Sequence, residues 1–414
     1  MRVLRDVRRF GGLVGRILRR RRLAATVRGE LARRGPLEPG LYEIAVYFAD
    51  GDVNMYQLRQ WYRPLERLAR THPVLVVARN PVAAHLLLDE TDLAIAYAPT
   101  VAHLERLVAQ QPMKIVLYVN QNMRNFQMLR YGRRWHVYIN HGESDKMYMT
   151  TNQFKAYDYA LVAGEAARER LSRALWNYDV EARTIAIGRP QADYVDAGDQ
   201  ARRDDRMVVL YAPTWEGDRP AARYGSVESH GVALVRSLLA TGRHRVIYRP
   251  HPRTGVVDDG YRRADARIEG MIRAANEADA SAGHLVDRGP ELGWQLAVAD
   301  VAIVDISAMV YDRLAQSRPL LVTRPAAAEA EIDETGYLGE CRWLRVEDAE
   351  RAVEVVDGAS TDAAALADLE RWARHHFGDT APGAPTARLE AAIDLLLARW
   401  AEQDARAEGD RQRA

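Results

Sequence analysis

The sequence predicts an α/β protein: two doubly wound, Rossmann-like domains facing a cleft, preceded by a basic amphipathic helix. Three observations carry this expectation. Short apolar runs alternate with helical patterns from Tyr42 onward, which is the signature of parallel sheets with helices on both faces. The runs are apolar throughout rather than alternating, as strands buried on both sides require. They also fall into two series separated by a polar stretch rich in Asp and Arg at Asp196–Asp205. The expected division is 1–36 for the basic helix, 40–198 for the first domain, 205–380 for the second, and 381–414 for a C-terminal helix and tail.

The head comes first. Val3, Leu4, Val7, Phe10, Val14, Ile17 and Leu18 recur at i, i+3, i+4, i+7, one face of a helix, with arginines filling much of the remainder. Residues 1–34 hold 12 Arg against Asp6 and Glu30, a net +10, whereas the rest of the chain holds 46 basic and 55 acidic residues, a net −9. The overall charge of +1 is therefore a cancellation. Such a helix suits an anionic membrane surface, with apolar residues dipping inward and Arg pairing with lipid headgroups. A helix packed on the body, a basic tail and a nucleic-acid arm are the alternatives. Gly35-Pro36 and Pro39-Gly40 end the segment.

The first series of candidate strands is Ile44–Phe48, Val74–Ala78, Leu93–Tyr97, Ile115–Val119, Val137–Asn140 and Tyr159–Ala163. The second is Met207–Ala212, Arg245–Arg249, Val301–Asp305 and Leu320–Thr323. Leu58–Arg70, Val101–Gln110 and Ala166–Trp176 read as helices between them. The last helix, Thr386–Glu402, is compatible with either domain, and no internal repeat is evident.

Composition excludes several classes. An acidic body argues against a general nucleic-acid binder. The single cysteine, Cys341, excludes a disulfide framework and a Cys-based zinc site. No stretch approaches 18 consecutive apolar residues, so no spanning helix is expected. The head is too densely charged for a secretory signal. Three lysines stand against 55 arginines, so each retained lysine is slightly more informative than usual.

Four polar motifs fall at strand ends, where open α/β sheets bind ligands. After the fifth strand stands Asn140-His141-Gly142-Glu143-Ser144-Asp145-Lys146. His141 suits proton transfer near neutral pH. Gly142 permits close backbone approach to a ligand, and Lys146 supplies a point charge. At the end of the first strand of the second series stands Leu210-Tyr211-Ala212-Pro213-Thr214-Trp215-Glu216, whose Thr214 and Trp215 offer a hydroxyl and an indole at the strand mouth. Next comes Tyr248-Arg249-Pro250-His251-Pro252-Arg253, a histidine held between prolines and flanked by two guanidinium groups that suit a phosphate or pyrophosphate. The fourth is Asp305-Ile306-Ser307-Ala308-Met309-Val310-Tyr311-Asp312, where Ser307 reads as an N-cap and the helix start attracts anions. Each motif alone has a structural explanation: a polar loop, a packing Trp, a basic turn, simple capping. Jointly they describe one interdomain cleft. There is no GxxxxGK[ST] loop, HExxH or GxSxG.

Together these motifs resemble the CDP-glycerol glycerophosphotransferase family of teichoic-acid primases and polymerases. The residues concerned are His141-Gly142, Ala212-Pro213-Thr214-Trp215, His251-Pro252 and Asp305 to Asp312, with Phe377-Gly378-Asp379, Gly383 and Arg388 toward the C-terminus. Ala308 replaces the second Ser of the usual pair, Tyr311 stands for Phe, and the first loop reads HGESDK rather than an HGTPLK-like form. The resemblance implies a glycosyltransferase-B-like fold, with acceptor on the first domain and CDP-glycerol or CDP-ribitol on the second. It implies His141 as the base for the acceptor hydroxyl. It implies that His251 and Ser307 hold the donor pyrophosphate, with His251 assisting departure of CMP. Gly142, Lys146, Thr214, Trp215, Arg249 and Arg253 would contact substrate, and Asp305 and Asp312 would position the loop or the donor. No metal or cofactor is expected. The expected partners are the CDP-alditol, a lipid-linked glycan acceptor and an anionic membrane surface at the cytoplasmic face, with no nucleic acid. A nucleotide-sugar glycosyltransferase of the same fold and a non-catalytic membrane-associated binding protein are the rival readings.

Overall fold

The computed structural model describes residues 2–142, 151–195, 204–289 and 293–413, those of 2–17 by backbone only. Thirteen strands are described: β1 (Ile44–Phe48), β2 (Val74–Ala78), β3 (Ala94–Tyr97), β4 (Ile115–Tyr118), β5 (Trp135–Tyr138), β6 (Tyr159–Val162), β7 (Thr184–Ala186), β8 (Met207–Ala212), β9 (His244–Tyr248), β10 (Leu285–Val286), β11 (Val301–Val304), β12 (Leu320–Thr323) and β13 (Trp343–Leu344). They form two sheets, a seven-stranded one in the order β3-β2-β1-β4-β5-β6-β7 and a six-stranded one in the order β10-β9-β8-β11-β12-β13. The pairings are parallel in both, for instance β1 with β4 and β8 with β11.

The strand sequences explain why both faces are covered. In β1, Ile44, Val46 and Phe48 enter one core layer while Ala45 and Tyr47 enter the layer on the opposite face. In β8, Leu210 and Ala212 face one layer, Val209 and Tyr211 the other. Alternate side chains point to opposite faces, so only an unbroken apolar run satisfies both.

The predicted strands recur within one or two residues. β5 is shifted, because Asn140 adopts a left-handed φ of 54° and leaves the strand. The strands that pattern did not reveal, β7, β10 and β13, are two or three residues long. The expected helix Leu58–Arg70 is two helices, Met55–Arg59 and Tyr62–Leu68, with Pro64 in the first turn of the second, where its missing N–H costs little. Most of the polar stretch at Asp196–Asp205, residues 196–203, lies outside the described residues.

Both chain ends join the first sheet. The helix Ala384–Arg413 inserts Leu389, Ala392, Ile393 and Leu396 into the same core as Ile44 and Val76, although it follows the second domain in sequence. Asp193 caps its start, accepting from Gly383 N and Thr386 N at 2.9 Å each. The N-terminal helix Arg2–Arg34 packs on the helix Pro81–Glu90. Its Val27 is fully buried in that core, and Arg34 donates to the Leu88 carbonyl at 2.8 Å. Arg19, Arg20, Arg21 and Arg22, farther along the helix, face solvent.

Candidate active site

In each sheet the strand order reverses at one point, between β1 and β4 and between β8 and β11. Crevices at such points, beyond the carboxyl ends of the strands, are where open α/β sheets bind ligands. The Thr214-Trp215 loop leaves β8 and the Asp305–Ser307 turn leaves β11, so both border the second crevice. His141 leaves β5, which pairs with β4 beside the first.

On the first domain, the left-handed Asn140 turns the chain so that His141 folds back over β4. Trp61 Nε1 holds the Asn140 carbonyl at 2.6 Å, and the Asn140 side chain reaches the Gly142 carbonyl at 2.5 Å. His141 Nδ1 lies 3.0 Å from the Val119 carbonyl oxygen. A carbonyl only accepts, so Nδ1 carries the proton and Nε2 of the neutral ring is a lone-pair base. Nε2 has no partner among the described residues. Burial lowers the His141 pKa, the Val119 hydrogen bond opposes this, and the Arg189 cation lowers it further. The Tyr56 ring meets the imidazole edge-on, centroids 5.8 Å apart. Lys146 lies outside the described residues.

On the second domain, Asp305 organises the crevice rather than facing it. Its carboxylate is fully buried and accepts from Thr214 N at 2.7 Å, Ser226 N at 3.0 Å and the Thr323 hydroxyl. Burial pushes its pKa up to about 6 against these hydrogen bonds. Ser307 caps the helix Ala308–Leu314: its hydroxyl accepts from Met309 N at 3.2 Å and donates to the Asp305 carbonyl at 3.1 Å. Ala308, next in the chain, is exposed.

Trp215, His251 and Arg253 form one cluster. The Arg253 guanidinium stacks on the Trp215 ring, Cζ 3.6 Å from the centroid, and the Trp215 and His251 rings lie 6.5 Å apart. His251 Nδ1 accepts from Arg253 N at 3.1 Å. A backbone N–H only donates, so the neutral His251 ring carries its proton on Nε2, the opposite arrangement to His141. Arg249 is less accessible than its sequence position suggested, because it forms an ion pair with Asp287 and also donates to the Gly289 carbonyl at 3.1 Å.

Sequence reasoning did not single out two residues that hold this cluster together. Glu216, buried just after Trp215, accepts from Gly255 N, Val257 N and Asp258 N at 3.0, 2.7 and 3.0 Å, fastening the turn that follows His251. Arg189 lies between the domains. Its Nη2 is 2.5 Å from Asp312 Oδ1, off the hydrogen-bond axis, and donates to Gln60 Oε1 at 3.3 Å. Asp312 is buried, and this joins the helix that begins at Ser307 to the first domain. Glu216 ends the strand-mouth motif without a role read from sequence, and Arg189 sits between a glycine and a proline, but neither position names its partner. Among the described residues no group of three or more His, Cys, Asp or Glu side chains is placed to hold a metal ion.

The family model for CDP-glycerol:poly(glycerophosphate) glycerophosphotransferases matches residues 105–329. That span is more than half of the chain and contains His141, Trp215, His251, Ser307 and Asp312. The chain belongs to this family. It is thus an enzyme of the CDP-glycerol glycerophosphotransferase type. The C-terminal Phe377-Gly378-Asp379, Gly383 and Arg388 lie beyond the matched residues.

No curated protein matches the chain in sequence. Among solved structures, the wall teichoic acid polymerase TagF is similar with a TM-score of 0.53 at 13% identity, over 87% of this chain and 90% of that one. A TagF variant soaked with CDPG aligns over 93% of this chain and 98% of its own, at 13% identity and a TM-score of 0.53. S. aureus MnaA, solved with UDP, gives a TM-score of 0.51 at 14% identity over 86% and 96%. At these identities the likeness establishes the fold, a glycosyltransferase-B-like pair of α/β domains, for this member of the glycerophosphotransferase family.

Proposed function

We propose that the protein transfers a phosphoglycerol or phosphoribitol unit from a CDP-alditol to a hydroxyl of a lipid-linked or glycan acceptor. CMP is released, and the product is a teichoic-acid-like or capsular polymer. The observation that carries this reading is the polarity of His141: the Val119 carbonyl holds the proton of Nδ1, so Nε2 presents a lone pair. His141 takes the proton of the acceptor hydroxyl. The resulting oxygen attacks the phosphorus bonded to the alditol, and the bond from that phosphorus to the bridging oxygen of CMP breaks. His251 Nε2–H and the Arg253 guanidinium meet the charge that develops on the departing phosphate. In-line placement supplies much of the rate. The family match and the crevices at the two switch points support this assignment.

The test is nucleotide release by purified protein with membranes, supplied in parallel with CDP-glycerol, CDP-ribitol, UDP-sugars and GDP-sugars. CMP release with a CDP-alditol is expected. Release of UDP or GDP without CMP overturns the reading.

Membrane association belongs to the same proposal and rests on the exposed arginines of the N-terminal helix. No described helix is long and apolar enough to cross a membrane. Deleting the whole helix is a poor test, because it removes Val27 from the core, a loss of about 1.5–3 kcal/mol. Replacing Arg19, Arg20, Arg21 and Arg22 with Gln leaves the core intact. At about 1 kcal/mol per arginine near an anionic surface, binding to anionic liposomes falls by roughly two to three orders of magnitude. Unchanged binding removes the membrane argument.

A further inference from the structure

Arg189 and Asp312 are 123 positions apart in sequence. One leaves the edge strand β7 of the first sheet, and the other lies in the short helix that starts at the crevice of the second. Their side chains are 11% and 8% exposed, so the pair is closed off from solvent at the domain junction. The backbone that carries Arg189 is itself anchored. Gly188 has φ +73° and packs against Arg388 and the Phe377 carbonyl, which belong to the crossing back into the first domain, and Pro190 follows. A Cβ built on Gly142 would lie 3.6 Å from Arg189 Nη1, so the guanidinium lies beside the loop that presents His141.

We propose that Arg189 is a positioning residue: its ion pair with Asp312 fixes the His141–Gly142 loop of the first domain against the helix Ala308–Leu314 of the second. Two buried charges on separate domains attract strongly only while the cleft is closed. When the domains part, both groups return to water and the attraction is lost to solvation. The pair therefore acts as a latch for one interdomain geometry, the one in which the base loop and the donor-side helix share a cation. This rests on the reading of His141 as the base.

The same cation acts on the histidine. The charged and titratable groups facing His141 among the described residues are Arg189, with Asp312 behind it, and the Tyr56 phenol. Arg189 opposes protonation of His141. Removing the Arg189 charge is thus expected to move His141 upward, whereas a substitution that keeps the charge is not.

The experiment compares wild type with Arg189→Gln, Asp312→Asn, the double variant and Arg189→Lys. Histidine-selective NMR titration reads the His141 pKa, and CMP release from CDP-glycerol reads turnover. Arg189→Gln is expected to raise the His141 pKa and Arg189→Lys to leave it near the wild-type value. Arg189→Gln and Asp312→Asn are both expected to reduce kcat by 10- to 100-fold while donor Kd stays within about threefold. The double variant is expected to be no slower than the worse single variant. Arg189→Lys, which keeps the charge, is expected to recover kcat to within about fivefold. A His141 pKa that does not rise in Arg189→Gln, or unchanged kcat in both single variants, overturns the latch. Small-angle scattering keeps the two readings apart. If His141→Ala retains turnover, the base assignment fails, and the latch then stands or falls on whether Arg189→Gln opens the cleft.

Discussion

The Val119 carbonyl and His141 Nδ1 share a hydrogen bond of 3.0 Å, and this contact settles which nitrogen of the ring is basic. It also orients Nε2 without using a side chain that titrates. His141→Ala is expected to lower kcat by roughly 10²–10⁴-fold, the range of a positioned general base, with donor affinity nearly unchanged. Loss of donor binding instead would show that His141 is a ligand for the nucleotide. Because burial, and then Arg189, lower the His141 pKa, the ring stays neutral to below its usual 6.5. The acid limb of kcat/KM is therefore expected below pH 6.5, and a limb above it contradicts the assignment.

Glu216 holds the turn after His251 through three backbone N–H groups. Burial alone would raise its pKa, but these hydrogen bonds outweigh it and leave the carboxyl below its ordinary value. Glu216→Gln keeps the shape but turns an acceptor into a donor against N–H groups. The turn carrying His251 and Arg253 is then expected to loosen, with donor KM rising about tenfold or more. A KM within twofold of wild type would show that the turn is held by other means.

Asp305 makes a prediction about pH. Its folded pKa of about 6 is above the ordinary 3.8, so folding takes up a proton between those values. The resulting stabilisation is fully present below 3.8 and is lost as pH rises through about 6. By neutral pH the ionised carboxylate costs about 3 kcal/mol relative to the unfolded chain. Asp305→Asn can accept from Thr214 N and Ser226 N through its oxygen and donate to the Thr323 hydroxyl. It is expected to be at least as stable as wild type at pH 7.5 and to lack the decline between about pH 4 and 7. Urea unfolding across that range checks this, and an undiminished decline in the variant would assign it to another group.

Gly188 tests the crossing between domains. A methyl group there would collide with the Arg388 guanidinium and come within 3.0 Å of the Phe377 carbonyl oxygen, at a φ of +73° that side chains rarely adopt. Gly188→Ala is expected to destabilise the protein by about 2–4 kcal/mol, read as a lower melting temperature. An unchanged melting temperature would mean that the C-terminal crossing is loose.

Much of this protein is determined locally by its sequence. Strands such as β1, β2, β8 and β12 carry apolar side chains on both faces, and that demand is visible in any window of five residues. Polar motifs stand out against such runs, so His141, Trp215, His251 and Ser307 were legible before any fold was known. What each polar residue touches was not. Asp305 is a buried clamp on three segments, Arg249 is held by Asp287, and Arg189 reaches Asp312 from another domain. The C-terminal helix crosses back to the first sheet. Hydrogen bonds and ion pairs act over about 3 Å between residues that lie up to hundreds of positions apart in the chain. Only the packing of the two sheets decides which of them meet, and so which polar residues hold the site together and which are left to face a substrate.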